Sequence, residues 1–468
     1  MSNVVSDTIC AISTPAGVGG LAVLRLSGHD AKRLAEKCLR TTSGRRVVLS
    51  DRHAAFSYFY TDVFDDNTEP CHLLDEVVAI YFAAPHSYTG EDVVELSCHG
   101  SLYVQQCMLQ HFVTLGARIA EPGEFTQRAF LNGRMDLSQA EAVADLIDSR
   151  SQSAHGLAIS QMRGGYAEEL EQLRQSFIEL AALLELELDF SDEDVEFAKR
   201  EQLKSMVALL TSKVQGLVDS FSMGNALKNG VPVAIVGRPN VGKSTLLNTL
   251  LNEDRAIVSD VAGTTRDTVE EQFVIEGIMF RLIDTAGIRH TDNTIEQAGI
   301  ARSRKAIGQA AIVLYLFDAK DDAKSVSGQI AELESMSDLN GKSVFLLRNK
   351  MDIALGNEFS FPDGKYMGIN ISAKKGDNIE TLRRGMVDAA RQGRCDTDVM
   401  LTNARHYEAM THILSALEEV RKGLEVDLTP DLLVIDIRDA LYHLGTITGK
   451  VTSDEVLSSI FSRFCIGK

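Results

Sequence analysis

Gly237-Arg-Pro-Asn-Val-Gly242-Lys243-Ser244 lies between a short apolar run, Val233 to Val236, and a helix-like spacing of leucines that begins with Leu246, Leu247, Leu250 and Leu251. A glycine-rich turn between strand and helix aims successive backbone N–H groups and the positive end of the helix dipole at phosphate oxygens. In that setting Lys243 reaches the β- and γ-phosphates and the Ser244 hydroxyl ligates Mg²⁺, with Asn240, Val241, Gly242 and Thr245 completing the loop. The loop alone does not choose between ATP and GTP.

The base is read further along, at Asn349-Lys350-Met351-Asp352 and Ser372-Ala373-Lys374. A carboxylate at Asp352 accepts hydrogen bonds from N1–H and the exocyclic amine of guanine, a donor pair that adenine lacks, while Asn349 and the Ser-Ala-Lys stretch close the other edges. Between phosphate and base motifs come Thr264-Thr265-Arg266-Asp267 and Asp284-Thr-Ala-Gly287, placed where a first switch, a carboxylate on the Mg²⁺ side and a γ-phosphate-sensing glycine belong. Five elements in this order point to GTP. A Ras-like site carries Gln directly after that glycine to orient the attacking water. Here the position is Ile288, which leaves Glu296 as the nearest downstream carboxylate for the task. Spacing alone also allows a solvated carboxylate at a helix start. Asn240 could turn its side-chain oxygen to the phosphates and hold a monovalent cation, a charge supplied elsewhere by an arginine; spacing leaves this open too.

These motifs need a doubly wound α/β unit, and alternating apolar strands and helical stretches supply one over residues 229–390. Residues 1–122 mix short β-rich runs (Leu21 to Leu26, Val77 to Phe82, Val93 to Leu96) with Gly and Pro turns, and read as an α+β domain. Residues 123–228 switch to helical spacing, and residues 391–468 are helical again. The simplest architecture inserts the nucleotide domain into a long-helix domain built from both flanks. At 468 residues the chain has room for about three domains at roughly 100–200 residues each.

A net charge of −19 argues against wrapping nucleic acid over the whole surface. By segment the balance is −5 for residues 1–122, −8 for 123–229, −3 for 230–390 and −3 for 391–468, so an RNA substrate is expected to need a partner's positive surface. Seven scattered cysteines without a C-x-x-C pair read as reduced thiols, and the absence of a long apolar run or a basic-then-apolar leader points to the cytoplasm. Cys98-His99 lacks further ligands at metal spacing, and the acidic run Asp189 to Glu196 reads as a helix break.

Over nearly its whole length the chain resembles the MnmE (TrmE) family of bacterial tRNA-modification GTPases. The resemblance rests on Asp7-Thr-Ile9, Thr14-Pro-Ala-Gly-Val-Gly-Gly20, Leu24-Arg-Leu-Ser-Gly28, Tyr88-Thr-Gly-Glu-Asp92, Glu95, Pro122-Gly-Glu-Phe125, Arg128-Ala-Phe-Leu-Asn132, the nucleotide motifs and the ending Phe464-Cys-Ile-Gly-Lys468. It implies an α+β N-terminal folate-binding and dimerisation domain, a long-helix domain and an inserted Ras-like α/β P-loop GTPase domain. It further implies a homodimer that works with the FAD-dependent partner MnmG to place an aminomethyl or carboxymethylaminomethyl group on carbon 5 of the wobble uridine of certain tRNAs. A 5-formyl-tetrahydrofolate-type molecule would carry the one-carbon unit. Two other classes stay open beside it: a ribosome-assembly switch without folate chemistry, and a stand-alone folate-dependent methyltransferase whose nucleotide domain only regulates.

The resemblance assigns folate binding to Arg25, Glu95, Arg134 and Lys468. The chemistry is apt, since a pterin offers donors to a carboxylate and arginine forks suit carboxylate and carbonyl groups. Arg134 departs from the family's usual lysine, replacing a point charge by a planar fork. The resemblance also gives K⁺ to Asn240 with Ser259, Val261 and Thr264, gives Mg²⁺ to Ser244 and Thr265 with Asp284 behind them, and gives water positioning to Glu296 when two G domains meet. Arg289 is a further catalytic candidate. Cys465 falls near the folate site as a possible nucleophile; lipid attachment there is discounted, because Gly467 is not aliphatic and no polybasic stretch precedes it.

Overall fold

A computed structural model describes residues 7–61, 72–189, 200–253, 271–283, 296–354, 359–361, 365–392, 399–462 and 464–468. The chain divides into two compact units: Met1–Ala144 with Met162–Ala167 and Gly445–Lys468, and Asp145–Gln161 with Glu168–Leu444.

The first unit opens with β1 (Ile9–Ile12), β2 (Leu21–Ser27), α1 (Ala31–Cys38), β3 (Leu39–Arg40), β4 (Ala54–Tyr60) and β5 (Leu73–Phe82). It continues with β6 (Val93–His99), α2 (Leu102–Thr114), β7 (Arg118–Ile119) and α3 (Glu124–Leu131), and α4 (Leu137–Asp148) begins in it. The strands form one sheet in the order β3-β4-β5-β6-β2-β1-β7, antiparallel except for β1 with β7. Period-two alternation buries one face: Ala22, Leu24 and Leu26 of β2, Val77 and Ala79 of β5, and Leu96 and Cys98 of β6 pack with Leu34 of α1 and Met108 and Phe112 of α2. The same alternation sends Arg25 and Glu95, directly paired across β2 and β6, to the other face.

Sequence spacing groups residues 123–228 and 391–468 together, and the two compact units share that set between them, with residues up to 144, 162–167 and those from 445 on in the first. The C-terminal helix α14 (Asp454–Phe461) and the tail after it lie in the first unit, where Leu457, Ile460, Phe461 and Phe464 bury themselves against Leu137, Ala140 and Val143 of α4, itself within residues 123–228. An antiparallel bridge between Pro122 and Ile466 fixes the tail.

In the second unit, α5 (Gln152–Met162), α6 (Gly165–Asp189) and α7 (Arg200–Asn229) lead into β8 (Val231–Gly237), α8 (Lys243–Glu253), β9 (Gln272–Ile275) and β10 (Ile278–Leu282). Then follow α9 (Glu296–Gln309), β11 (Ile312–Asp318), α10 (Ala323–Met336), β12 (Ser343–Asn349), β13 (Met367–Asn370) and α11 (Ile379–Gln392). The sheet runs β13-β12-β11-β8-β10-β9, parallel except for the β9–β10 hairpin, and its near-continuous apolar strands are buried on both faces. After it come α12 (Ala404–Glu425) and α13 (Pro430–Thr448). Helices α7 and α12, on either side of the insertion, pack together: Phe221 stacks on Tyr407 at 4.4 Å, and the Ser220 hydroxyl accepts from the Leu401 N–H at 3.0 Å.

Candidate functional site

Parallel register sets the nucleotide site. Gly237 pairs with Leu316, and Asp318 with Asn349, so the C-terminal ends of β8, β11 and β12 lie side by side, at the sheet edge where open α/β folds bind ligands. From β8 the backbone turns through Gly237, Asn240 at φ 62° and Gly242 at φ 103° before α8 begins at Lys243. Gly242 has a steric reason beyond its dihedral: a Cβ there would overlap the Asn349 side-chain amide. The Lys243 ammonium folds across the loop and donates to the Gly237 and Arg238 carbonyls, each at 2.8 Å, and burial lowers its pKa.

Asn349 plays a part that spacing did not show. It is 2% exposed, donates from Nδ2 to the Val241 carbonyl at 2.8 Å and accepts at Oδ1 from the Ala373 N–H at 3.0 Å. Rather than lying along a base edge, its amide ties the phosphate loop to the Ser-Ala-Lys loop. Lys350, at φ 68°, pairs with Asp318 at 2.7 Å; burial pushes the Asp318 carboxyl up, but the Lys350 ammonium and the Lys320 N–H outweigh it and hold it below the usual range. Ser372 donates to Asp352 Oδ1 at 2.9 Å and so orients the base-reading carboxylate, while Lys374 is exposed. Thr249, which sequence reasoning passed over, donates from α8 to the Ala373 carbonyl at 2.7 Å. The signal available was its place one turn beyond Thr245 on the helix that opens the phosphate loop.

Ser259, Val261, Thr264, Thr265, Arg266, Asp267, Asp284, Gly287, Ile288 and Arg289 lie outside the described residues. Glu296 supplies the first residue of α9, without a described side chain.

The first unit gathers the other predicted set. Arg25 donates from Nε and Nη2 to Glu95 Oε1 at 2.9 and 2.6 Å, and lies 5.5 and 5.6 Å from the ring centres of Tyr88 and Phe125. The C-terminal tail arrives at the same place: the Gly467 carbonyl accepts from Ser13 Oγ at 3.0 Å and from Arg25 Nη1 at 3.5 Å. At φ 95°, and with the space where a Cβ would sit taken by the Ile12 carbonyl, position 467 admits only glycine without displacing β1. Arg134 runs its stem past Gly90, Cys465 is exposed, and Lys468 is half-buried with its N–H on the Cys465 carbonyl at 3.3 Å.

Beside this lies an ionic cluster, buried at Arg128 and Glu124 and half-exposed at Asp7 and Arg118, to which sequence reasoning assigned no role. Arg128, with 7% of its side chain exposed, donates to Asp7 Oδ1 at 2.7 Å, to Glu124 at 2.9 Å and to Glu91 at 3.2 Å; Arg118 binds Asp7 at 2.7 Å and Glu124 at 2.6 Å. Burial opposes ionisation of Asp7 and Glu124, yet the two guanidinium groups prevail and hold both carboxyls below their ordinary values. Among the described residues no group of three or more His, Cys, Asp and Glu could hold a metal ion, and His99 is paired with Asp75 at 2.6 Å. The five described cysteines are free, and burial pushes the Cys10 thiol up to about 11 and Cys38 to about 12.

A phosphate loop after β8 and a base-reading turn after β12, at the same edge of one sheet and stitched together by one buried asparagine, place this chain among the P-loop GTPases. The comparisons narrow that class. A family model described as the MnmE helical domain matches residues 137–465, and one described as the GTP-binding protein TrmE N-terminus matches residues 8–134. The tRNA modification GTPase MnmE of Parabacteroides distasonis is 48% identical over 467 residues, covering 99% of this chain and 100% of that protein, and the one from Flavobacterium johnsoniae is 45% identical with 99% of each covered. The chain belongs to the MnmE family. A structure of Era from Aquifex aeolicus is 26% identical over 39% of this chain and 65% of that one, with a TM-score of 0.25, too low to bear on the architecture.

Proposed function

We propose that the chain hydrolyses GTP to drive a tRNA modification: as a homodimer in the cytoplasm, with the FAD-dependent partner MnmG, it serves the addition of an aminomethyl or carboxymethylaminomethyl group to carbon 5 of the wobble uridine, with a folate as one-carbon carrier. In this reading the N–H groups of Val241 to Thr245 and the Lys243 ammonium bind the β- and γ-phosphates, and Asp352 accepts from guanine N1–H and its amine. Glu296 orients the attacking water, and Arg289 contacts the second switch. Mg²⁺ held by Ser244 and Thr265, and K⁺ held by Asn240 with Ser259, Val261 and Thr264, would neutralise charge that grows on the transferring phosphoryl group. The left-handed turn at Asn240 and the place of Ser244 in the first turn of α8 suit that donor set.

One observation carries the reading beyond a generic GTPase. The C-terminal tail lies against β1 so that the Gly467 carbonyl meets Arg25, itself braced on Glu95 and flanked by Tyr88 and Phe125. Aromatic rings, a carboxylate and a guanidinium are the groups a pterin with a glutamyl tail calls for, and Arg134 and Lys468 add positive charge for its carboxylates. Cys465 is close enough in the chain to bear on the one-carbon chemistry.

The test is GTP turnover in K⁺ against Na⁺ at equal ionic strength, with Asn240→Ala and Glu296→Ala alongside. Strong K⁺ stimulation that disappears in Asn240→Ala, with turnover lost in Glu296→Ala, is expected. Equal rates in both salts would end the cation assignment and move the weight to a regulatory switch GTPase.

A further inference from the structure

Strand β12 runs through Val344, Phe345, Leu346 and Leu347, and then sets an arginine into the core. Arg348 stands opposite Phe317 of β11, on the sheet face that Val344 and Leu346 fill with apolar side chains, and it is 3% exposed. Its Nη2 donates to the Ala319 carbonyl at 2.7 Å, and its guanidinium carbon lies 4.6 Å from the ring centre of Phe359. Among the described residues its Nε has no hydrogen-bond partner. A guanidinium in such a place costs far more to bury than the leucine or methionine that the strand pattern calls for. Packing alone does not account for it, and a residue that breaks its local pattern belongs where a site has to be held in shape.

The groups that Arg348 reaches come from three stretches around the base-reading turn. Ala319 follows Asp318 at the end of β11, and its N–H donates to the Asn349 carbonyl at 2.8 Å. The Asp318 carboxylate, one residue back, holds the Lys350 ammonium at 2.7 Å and accepts from the Lys320 N–H at 3.0 Å. Phe359 lies beyond the turn, with its ring 5.5 Å from Phe317 and 5.2 Å from Phe361. The Arg348 carbonyl accepts from the Ile371 N–H at 2.8 Å, directly before the Ser-Ala-Lys loop. Lys350 itself is at φ 68°, a left-handed conformation that a lysine keeps only where its surroundings impose it.

We infer that Arg348 is a positioning residue for guanine recognition. Through Ala319 it fixes the Asp318 to Lys320 turn, which fixes Lys350 and so keeps residues 349–352 in their binding shape. It acts through these groups and not by contact, because a side chain so deeply buried has no surface to offer a ligand. This rests on the proposed reading that residues 349–352 face the base.

The experiment measures GTP turnover and the affinity for a fluorescent GDP analogue in full-length protein carrying Arg348→Met, Arg348→Lys, Asp318→Asn, or Asp318→Asn with Arg348→Met. Methionine keeps an apolar stem and strands no charge, so the nucleotide-free melting temperature should stay close to that of wild type. In Arg348→Met the KM for GTP and the Kd for the analogue should rise about tenfold, with kcat within about twofold of wild type. Arg348→Lys, which keeps a donor for the Ala319 carbonyl, should recover most of the affinity. The double variant should bind no more weakly than the weaker single one, because both changes act on the same turn. If Arg348→Met melts early, Arg348→Gln takes its place, with the same direction expected. An unchanged KM and Kd in the folded variant would overturn the inference. So would an apparent kcat that falls in step with the melting temperature while KM stays put, since the arginine would then only stabilise the fold. Losses that multiply in the double variant would overturn the route through Asp318. A wild-type protein that binds ADP as tightly as GDP would instead remove the base reading itself.

Discussion

Replacing Asn349 by alanine should uncouple the two halves of the nucleotide site without unfolding the domain. The wild-type amide satisfies two buried groups at once, the Val241 carbonyl at 2.8 Å and the Ala373 N–H at 3.0 Å, and it is 2% exposed. Each buried polar group left without a partner costs about 1–3 kcal/mol. In the free protein the loops can relax towards water, so most of that cost falls on the nucleotide-bound state, where both loops must return to place. Taking about 2–4 kcal/mol for the pair, the affinity for a fluorescent GDP analogue should drop roughly 30-fold to 1000-fold. The β8, β11 and β12 core is untouched, so circular dichroism and the main melting transition should change little. A folded variant that binds GDP within threefold of wild type would refute the idea that this amide clamps the site, and would return Asn349 to a simple contact with the base.

Three further outcomes follow from the same geometry. Asp352→Asn exchanges the acceptor that guanine's N1–H and amine require for an amide, so GTP binding should weaken and xanthosine triphosphate binding should appear in a competition assay. Thr249→Val removes the donor to the Ala373 carbonyl at 2.7 Å and should raise the KM for GTP about three- to tenfold with kcat little changed, an effect that Thr249→Ser should reverse. In the first unit, Arg128→Leu takes the arginine from Glu91 and one of two guanidinium groups from Asp7 and Glu124, which keep Arg118, and should cost about 1–3 kcal/mol, read as an early melting transition in calorimetry. Because Asp7 and Glu124 titrate lower folded than unfolded, their contribution is complete above the ordinary values of 3.8 and 4.5 and is lost as pH falls through the lower folded values. Wild type should therefore lose stability on acidification below about pH 4.5, and Arg128→Leu should lose less over the same window.

Some of this was plain in the residues themselves. The phosphate loop, the Asn-Lys-x-Asp turn and the alternating strands around them are local patterns, because a loop that must present consecutive N–H groups needs glycines at fixed offsets and a buried parallel strand needs an unbroken apolar run. Strands β2, β5 and β6 and helices α1, α2 and α12 were legible for the same reason, while β4, whose burial on one side only leaves Phe56 exposed, was not.

What only the tertiary structure decided are the relations between residues far apart in the chain. Nothing in the sequence says that Asn349 holds Val241 to Ala373 or that Arg128 closes on Asp7, and only the family resemblance brought the C-terminal tail to Arg25, without the Gly467 contact that makes the meeting. Such pairs have no periodicity to announce them. They exist because backbone N–H groups, carbonyls and charges buried by folding must find partners wherever the packing brings them, and that is settled by strand register and by which apolar faces cover one another. The tail shows it most directly: its helix reads from sequence as more of the helical domain, and only the fold shows that Phe461 and Phe464 find their burial against α4, more than 300 residues earlier in the chain.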